Sequence, residues 1–385
     1  MLTSRIYFKN FKSKKNKPLL VKKKLLLLVK EKNEVIKSLS KDYKNNFNNK
    51  ILKKFNKSSE YRIIGMGGSS LGAKAIYDFL KHKVKKNFLF IDDLKKENSI
   101  RKKKNYNNLI ISKSGNTIET IVNVNLLIKK QDQNIFITEN KNNYLKLVAE
   151  KLKAEIIHHN NFIGGRYSVL SEVGMLPAEL MGLKISDFKQ LNFLIKNKSF
   201  FNNLISNVSA TLNLIRNKKY NSIIINYDEK SDSLFKWYQQ LIAESLGKKK
   251  SGILPVISNM PKDNHSVMQL YLDGFKNNFF TFFYVHEGRS EKLNNQHILS
   301  TKNYLKNKNL GDIIFSQKKA TENVFNRKNI PFRSFEIKQR NEKTLGELFC
   351  FFILETILIA KTLNINPYDQ PAVEIIKQET KKILI

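Results

Sequence analysis

The sequence predicts an α/β protein with two parallel sheets, each flanked by helices. Short, fully apolar runs alternate with helix-patterned stretches, the pattern of parallel strands buried on both faces. Two glycine- and hydroxyl-rich loops directly follow two of those runs. At 385 residues and 41% hydrophobic, the chain is long enough for two cores.

The first group of runs is Arg62-Ile63-Ile64, then Phe88 to Asp92, Leu109 to Ser112, Asn134 to Thr138 and Ala154 to Ile157. A helical stretch follows. The rhythm then resumes with Ser222 to Tyr227, Gly252 to Val256, Phe279 to Val285 and Phe332 to Ile337. Right-handed crossovers through the intervening helices join such strands into open sheets. The predicted organisation is a basic, helical N-terminal segment over 1–57, a first domain over 58–200, a second over 201–363 and a C-terminal helical segment over 364–385. A long apolar helix is expected from about Thr344 to Leu363. A last helix starts at Pro371, because proline suits the first helical position.

Composition removes several function classes. The single cysteine, Cys350, allows neither an internal disulfide nor a thiolate metal cluster. None of the six histidines sits in an HExxH frame or near a cysteine cluster, so no dedicated zinc site is expected, although scattered His and carboxylates could still converge in space. The apolar stretch Leu348 to Ala360 is interrupted by Glu355 and falls short of the roughly 20 residues of a spanning helix. It is expected to be a buried helix, with no membrane partner. Leu25 to Val29 is too short for a signal-peptide core. The acid-free first 17 residues leave a transit peptide as an alternative to a cytoplasmic location.

Lys+Arg is 69 against 33 for Asp+Glu, a net charge of +36. The basic residues run through the whole chain among Asn and Ile, as in KNFKSKKNK and YLKNKNL. That spread fits biased codon usage better than a dedicated nucleic-acid face. No specific nucleic-acid partner is expected, although the field would still draw in small anions.

Ligands of open α/β sheets bind at the carboxyl ends of the strands. Two loops sit there in the first domain: Gly65-Met66-Gly67-Gly68-Ser69-Ser70-Leu71-Gly72 and Ser112-Lys113-Ser114-Gly115-Asn116-Thr117-Ile118-Glu119-Thr120. Glycines let backbone approach an anion, and hydroxyls and helix-start N–H groups bind phosphate oxygens. Neither loop has a Walker GK[ST] ending. Read alone, each is equally a simple turn. Arg166 follows Gly164-Gly165 and could reach a bound anion or lie on the surface. Gln240 and Glu244 share a helix face; a carboxylate there is a candidate base or a solvated side chain. His265, Gln370 and Lys377 carry no clear role by themselves.

Their joint order is more informative. GMGGSSLG, SKSGNTIET, GGRYSVLSEVGMLP, WYQQLIAESLGK, DNHSVMQL and NPYDQPAVEIIK, in that order, resemble the signatures of the glucose-6-phosphate isomerase family over about Tyr61 to Lys377. GGSxLG and SKSGxTxET alone would identify only the wider sugar-isomerase (SIS) group. The resemblance implies two SIS-type domains and a homodimer with shared active sites. It also implies metal-independent interconversion of glucose 6-phosphate and fructose 6-phosphate through a cis-enediolate. Position by position, Glu244 corresponds to the base and Arg166 to the group that steadies the enediolate. His265 and Lys377 correspond to the groups that open the sugar ring, with the histidine coming from the partner subunit. Ser69, Ser112, Lys113, Ser114, Thr117, Gly165, Gln240 and Gln370 correspond to substrate-binding positions. The chain departs from the family pattern at Asn116, Glu172, Asn264, Ala372 and Ile375-Ile376. A bifunctional phosphoglucose/phosphomannose isomerase and a sugar-phosphate sensing module remain as rival readings.

Overall fold

The computed structural model describes residues 1–12, 18–94, 106–129, 131–288 and 290–385. The basic runs around 9–17 and 102–109 lie partly outside the described residues.

The first sheet contains β2 (Glu60–Ile64), β3 (Asn87–Ile91), β4 (Asn107–Ile111), β5 (Gln133–Thr138) and β6 (Glu155–His158). All its pairings are parallel, in the order β3-β2-β4-β5-β6. Every residue of β4 is buried, as the continuous apolar run requires. The chain passes from β2 outward to β3 and returns to β4 on the other side. The switch point therefore lies between β2 and β4, where a ligand crevice opens at the carboxyl ends.

The second sheet contains β1 (Ile6–Lys9), β7 (Asn221–Asn226), β8 (Leu254–Asn259), β9 (Asn278–Val285) and β10 (Phe332–Ile337), in the order β1-β10-β9-β7-β8. Strands β7 to β10 pair in parallel, as the sequence predicts. The N-terminal strand β1 is an addition: it pairs antiparallel with β10, with Ile6 opposite Ile337 and Phe8 opposite Phe335. The sequence reading of 1–57 as a basic, helical segment misses it. Four residues show too little alternation to stand out, and long-range pairing with β10 defines the strand. The run at 252–256 also begins two residues early, since β8 starts at Leu254.

The helix Glu342–Thr362 is buried from Thr344 to Ala360, packs against neighbouring helices, and sets Phe351 against Phe8 of β1 and Phe335 of β10. Glu355 does not break it. Its carboxylate accepts from the buried Arg333 guanidinium and from Asn207 Nδ2 (2.6 Å), which satisfies the charge inside the core. No helix among the described residues is long and apolar enough to cross a membrane. The helix Asp232–Leu246 buries Leu234, Phe235, Tyr238, Leu241 and Ile242, and packs against the helix Leu71–Phe79 of the first sheet. That contact brings its Gln240–Glu244 edge to the first-sheet crevice. The final helix, Pro371–Leu384, buries none of its residues.

Candidate active site

Glycine-mediated backbone contacts assemble the site. A Cβ on Gly68 would lie 2.2 Å from the carbonyl carbon of Gly165 and 2.6 Å from the nitrogen of Arg166. Only glycine lets the first loop touch the arginine segment. Gly67, at φ +52°, lies under Gln240: a Cβ there would be 2.8 Å from Nε2. The first loop therefore meets both the arginine and the candidate base helix. Gly165 itself has room for a Cβ, with Gly68 Cα 3.7 Å away. Its visible role is packing, with its carbonyl accepting from Ser168 Oγ at 2.7 Å.

The second loop follows β4 across the switch point. Ser112 is buried and its hydroxyl lies 2.9 Å from Thr117 Oγ1. Thr117 precedes the helix Ile118–Leu127 without capping it through its side chain, so the first N–H groups of that helix are not taken by a cap. Gly115, at φ +65°, leaves space filled by Asn143 Oδ1, which a Cβ would meet at 1.8 Å. Ser114 is exposed and accepts the Asn116 N–H at 3.3 Å. Lys113 donates to Asn161 O at 2.8 Å and pairs with Glu139 at 3.3 Å. Ser69 is half-buried beside Gly68, and its side chain makes no hydrogen bond among the described residues.

Arg166 lies at the centre, 2% exposed. Its Nε donates to Ser245 Oγ (2.9 Å), and its NH2 donates to the carbonyls of Pro367 (2.6 Å) and Asp369 (3.0 Å). NH1 donates to Glu244 Oε2 (3.2 Å) and Gln370 Oε1 (2.7 Å). All five guanidinium hydrogens are thus engaged. Nε and NH2 anchor the group, while NH1 faces the polar side chains. Tyr167 supports the anchor: its hydroxyl lies 2.8 Å from Ser245 Oγ and donates to Pro367 O at 3.1 Å. Burial pushes the Tyr167 phenol up, so it remains a neutral donor.

Glu244 keeps a quarter of its side chain exposed. Its Oε1 accepts from Gln240 Nε2 at 2.9 Å, one helical turn earlier. Gln240 Oε1 is buried and accepts no hydrogen bond among the described residues. The structure thus gathers Arg166, Glu244, Gln240 and Gln370 into one cluster beside the two loops. An open groove of about 890 Å³ runs from Glu244 past Lys248, Asp369 and Gln370 to Pro371.

Two predicted residues stand apart. His265 is exposed at the end of the turn Lys262–His265, after the edge strand β8, and its ring has no hydrogen-bond partner among the described residues. Lys377 lies on the exposed helix Pro371–Leu384 and pairs with Glu374 at 2.6 Å, one turn earlier. The structure brings neither to Glu244. Sequence reasoning also misses the anchors Ser245, Pro367 and Asp369, and Lys248. Lys248 Nζ donates to the carbonyls of Asn366 (2.5 Å) and Asp369 (2.7 Å). Adjacency of Ser245 and Lys248 to Glu244 is the only sequence signal for them. The carbonyls have none. Among the described residues, no group of three His, Cys, Asp or Glu side chains is placed to hold a metal ion.

Two mainly parallel sheets, with β1 the one antiparallel strand, joined by an arginine segment and a glutamate helix, define a sugar-isomerase (SIS) type of α/β fold. The chain belongs to the phosphoglucose isomerase family, whose model matches residues 6–385. It is 36% identical over 340 residues to a glucose-6-phosphate isomerase of Methanocaldococcus jannaschii, covering 83% of this chain and 82% of that one. In fold it resembles a hypothetical protein from Thermus thermophilus (TM-score 0.82, 22% identity, 95% of each chain). It also resembles a glucose-6-phosphate isomerase from Chlamydia trachomatis (TM-score 0.71, 18% identity, 99% of this chain and 80% of that one).

Proposed function

We propose that the protein interconverts glucose 6-phosphate and fructose 6-phosphate, with Glu244 moving one proton between C2 and C1. The observation that carries this reading is the Glu244–Arg166 pair. A carboxylate is a weak base toward carbon unless the charge it creates is stabilised, and a permanently cationic guanidinium 3.2 Å away supplies that stabilisation. As the enediolate forms, the two NH1 hydrogens would pass from Glu244 and Gln370 to its oxygens. The three other guanidinium hydrogens stay on Ser245 Oγ, Pro367 O and Asp369 O and keep the group still. Gln240 Nε2 orients Glu244, and the unpaired Gln240 Oε1 would accept a sugar hydroxyl.

The phosphate belongs in the first-sheet crevice. Ser112, Thr117, Ser114 and the uncapped N–H groups that start the helix Ile118–Leu127 offer donors there, and Ser69 lies on the loop that follows the neighbouring strand β2. Lys113 adds positive charge from its position beside Asn161. Held this way, the dianion fixes C1 and C2 at the carboxylate.

Ring opening needs a proton delivered to the ring oxygen and one taken from the anomeric hydroxyl. His265 and Lys377 have the right chemistry but lie outside the cluster. A homodimer in which His265 reaches the partner's site resolves the first, and approach of the C-terminal helix resolves the second. No step needs a metal or a cofactor, and the substrate partner is a small sugar phosphate in the cytoplasm. The two sheets with their carboxyl-end loops act as the two domains, 58–200 and 201–363.

The test is turnover of fructose 6-phosphate in excess EDTA, wild type against Glu244→Gln. Glucose 6-phosphate formed by the wild type and lost in the variant supports the reading. Equal activity in both would show that another group is the base, and no activity in either would favour a sensing module.

A further inference from the structure

The strongest group of buried titratable side chains outside the site lies behind the arginine segment. Glu172, in the first turn of the helix Glu172–Leu180, has no exposed surface. Its Oε1 accepts the backbone N–H of Asn160 (2.6 Å) and faces His159 Nδ1 (3.2 Å). Its Oε2 accepts from the Tyr43 hydroxyl at 2.9 Å. Burial alone would raise this carboxyl. The bonds from His159 and the Asn160 N–H outweigh burial and hold it below the ordinary glutamate range. An ionised carboxylate is acceptor-only, so His159 carries its proton on Nδ1.

These bonds close a loop. Asn160 opens the segment that carries Gly164, Gly165 and Arg166, and Glu172 ends it. Midway, Gly165 is pressed against Gly68. Just after Asn160, Asn161 O accepts from Lys113 of the second loop. At the far end, the buried Lys189 Nζ donates to Leu170 O and to Ser38 O, and sits 4.9 Å above the Tyr43 ring. One carboxylate thus ties both ends of the arginine segment to the N-terminal part of the chain through Tyr43.

We propose that Glu172 is a positioning residue for Arg166: its carboxylate fixes the span of the 160–172 loop and so sets where NH1 meets the enediolate. Glutamine is not equivalent. With Oε1 kept on the Asn160 N–H and His159 Nδ1–H, its amide nitrogen meets the Tyr43 hydroxyl as a donor, so that bond must reverse, the charge that strengthens the other two is lost, and the loop relaxes. A shift of about 1 Å at a reacting centre lowers rate by up to about 10²-fold. The loss should fall on the transition state, because Arg166 contacts charge that develops only there.

The inference rests on the isomerase reading, and its test separates the two. Wild type, Glu172→Gln and Tyr43→Phe are compared in kcat and KM for fructose 6-phosphate. Affinity is measured for a hydroxamate mimic of the enediolate and for sorbitol 6-phosphate, which has the phosphate but no enediolate. In Glu172→Gln, kcat and mimic affinity should fall together by about tenfold or more, while KM and sorbitol 6-phosphate affinity stay within about threefold. Tyr43→Phe removes one donor and keeps the ring, so it should shift kcat and mimic affinity the same way, by less. Wild-type values of kcat and mimic affinity in a folded Glu172→Gln overturn the proposal. So does an equal loss of sorbitol 6-phosphate affinity, which would mark a general structural role. Should Glu172→Gln fail to fold, Tyr43→Phe decides: unchanged kcat and mimic affinity refute it. An inactive wild type would instead remove the isomerase reading itself.

Discussion

Arg166 and His265 represent two ways of holding a functional side chain. Arg166 is buried, with every hydrogen engaged and glycine contacts on one side. His265 is exposed on a turn, and Lys377 is exposed on a helix with no buried residue. The proton-transfer half of the proposed chemistry is therefore assembled within one chain, and the ring-opening half is not. Moving a proton between adjacent carbons needs fixed geometry and a stabilised charge, which a buried network supplies. Ring opening also proceeds slowly without help, so its catalysts can come from mobile or neighbouring elements.

The sharpest way to break this contrast is the base. Glu244→Gln should lower kcat by about 10⁴-fold, at the upper end of what one general base contributes. Steady-state turnover of fructose 6-phosphate measures it, and a loss below tenfold would move the base elsewhere. Arg166→Lys comes next. It keeps a charge but cannot hold three anchors and present NH1 together, so kcat should fall by about 10²–10³-fold. Stability should fall too, because a buried carbonyl left without its partner costs about 1–3 kcal/mol. Thermal melting of the variant checks that.

The exposed pair should behave differently. His265→Ala and Lys377→Ala should each cost about 10²-fold on cyclic substrate. Their melting temperatures should match the wild type, since substitutions at such surface positions stay within about 0.5 kcal/mol. A large fall in melting temperature for either would mean that it is held in place after all. Mixing Glu244→Gln with His265→Ala subunits should restore some activity if the histidine crosses to the partner. Fully exchanged mixtures that remain inactive would refute shared sites. The smallest effect is expected at Ser112→Ala, where losing one charge-assisted hydrogen bond should raise KM about tenfold with kcat nearly unchanged.

Much of this was legible in the sequence. Apolar runs such as Leu109 to Ser112 and Phe279 to Val285 announce buried parallel strands, because period and length suffice to define them. The glycine loops and Glu244 were visible as chemistry-bearing types at strand ends and on a helix face. Strand β1 was not, because four residues become a strand only through pairing with β10. The anchors of Arg166 were hidden for a related reason: the carbonyls of Pro367 and Asp369 carry no side-chain signal, and they lie some 200 residues from the arginine. Glu172 stood out only as a departure from the family pattern, and its partners Tyr43 and His159 meet it only after folding.

The most direct test of the division between assembled and dispersed halves uses an aldose phosphate that cannot close a ring. Exchange of its C2 proton with deuterated solvent is followed for wild type, Glu244→Gln and His265→Ala. The predicted result is near-wild-type exchange in His265→Ala, which is impaired on cyclic substrate, and none in Glu244→Gln. Loss of exchange in both variants would place His265 in the proton-transfer step and contradict the account.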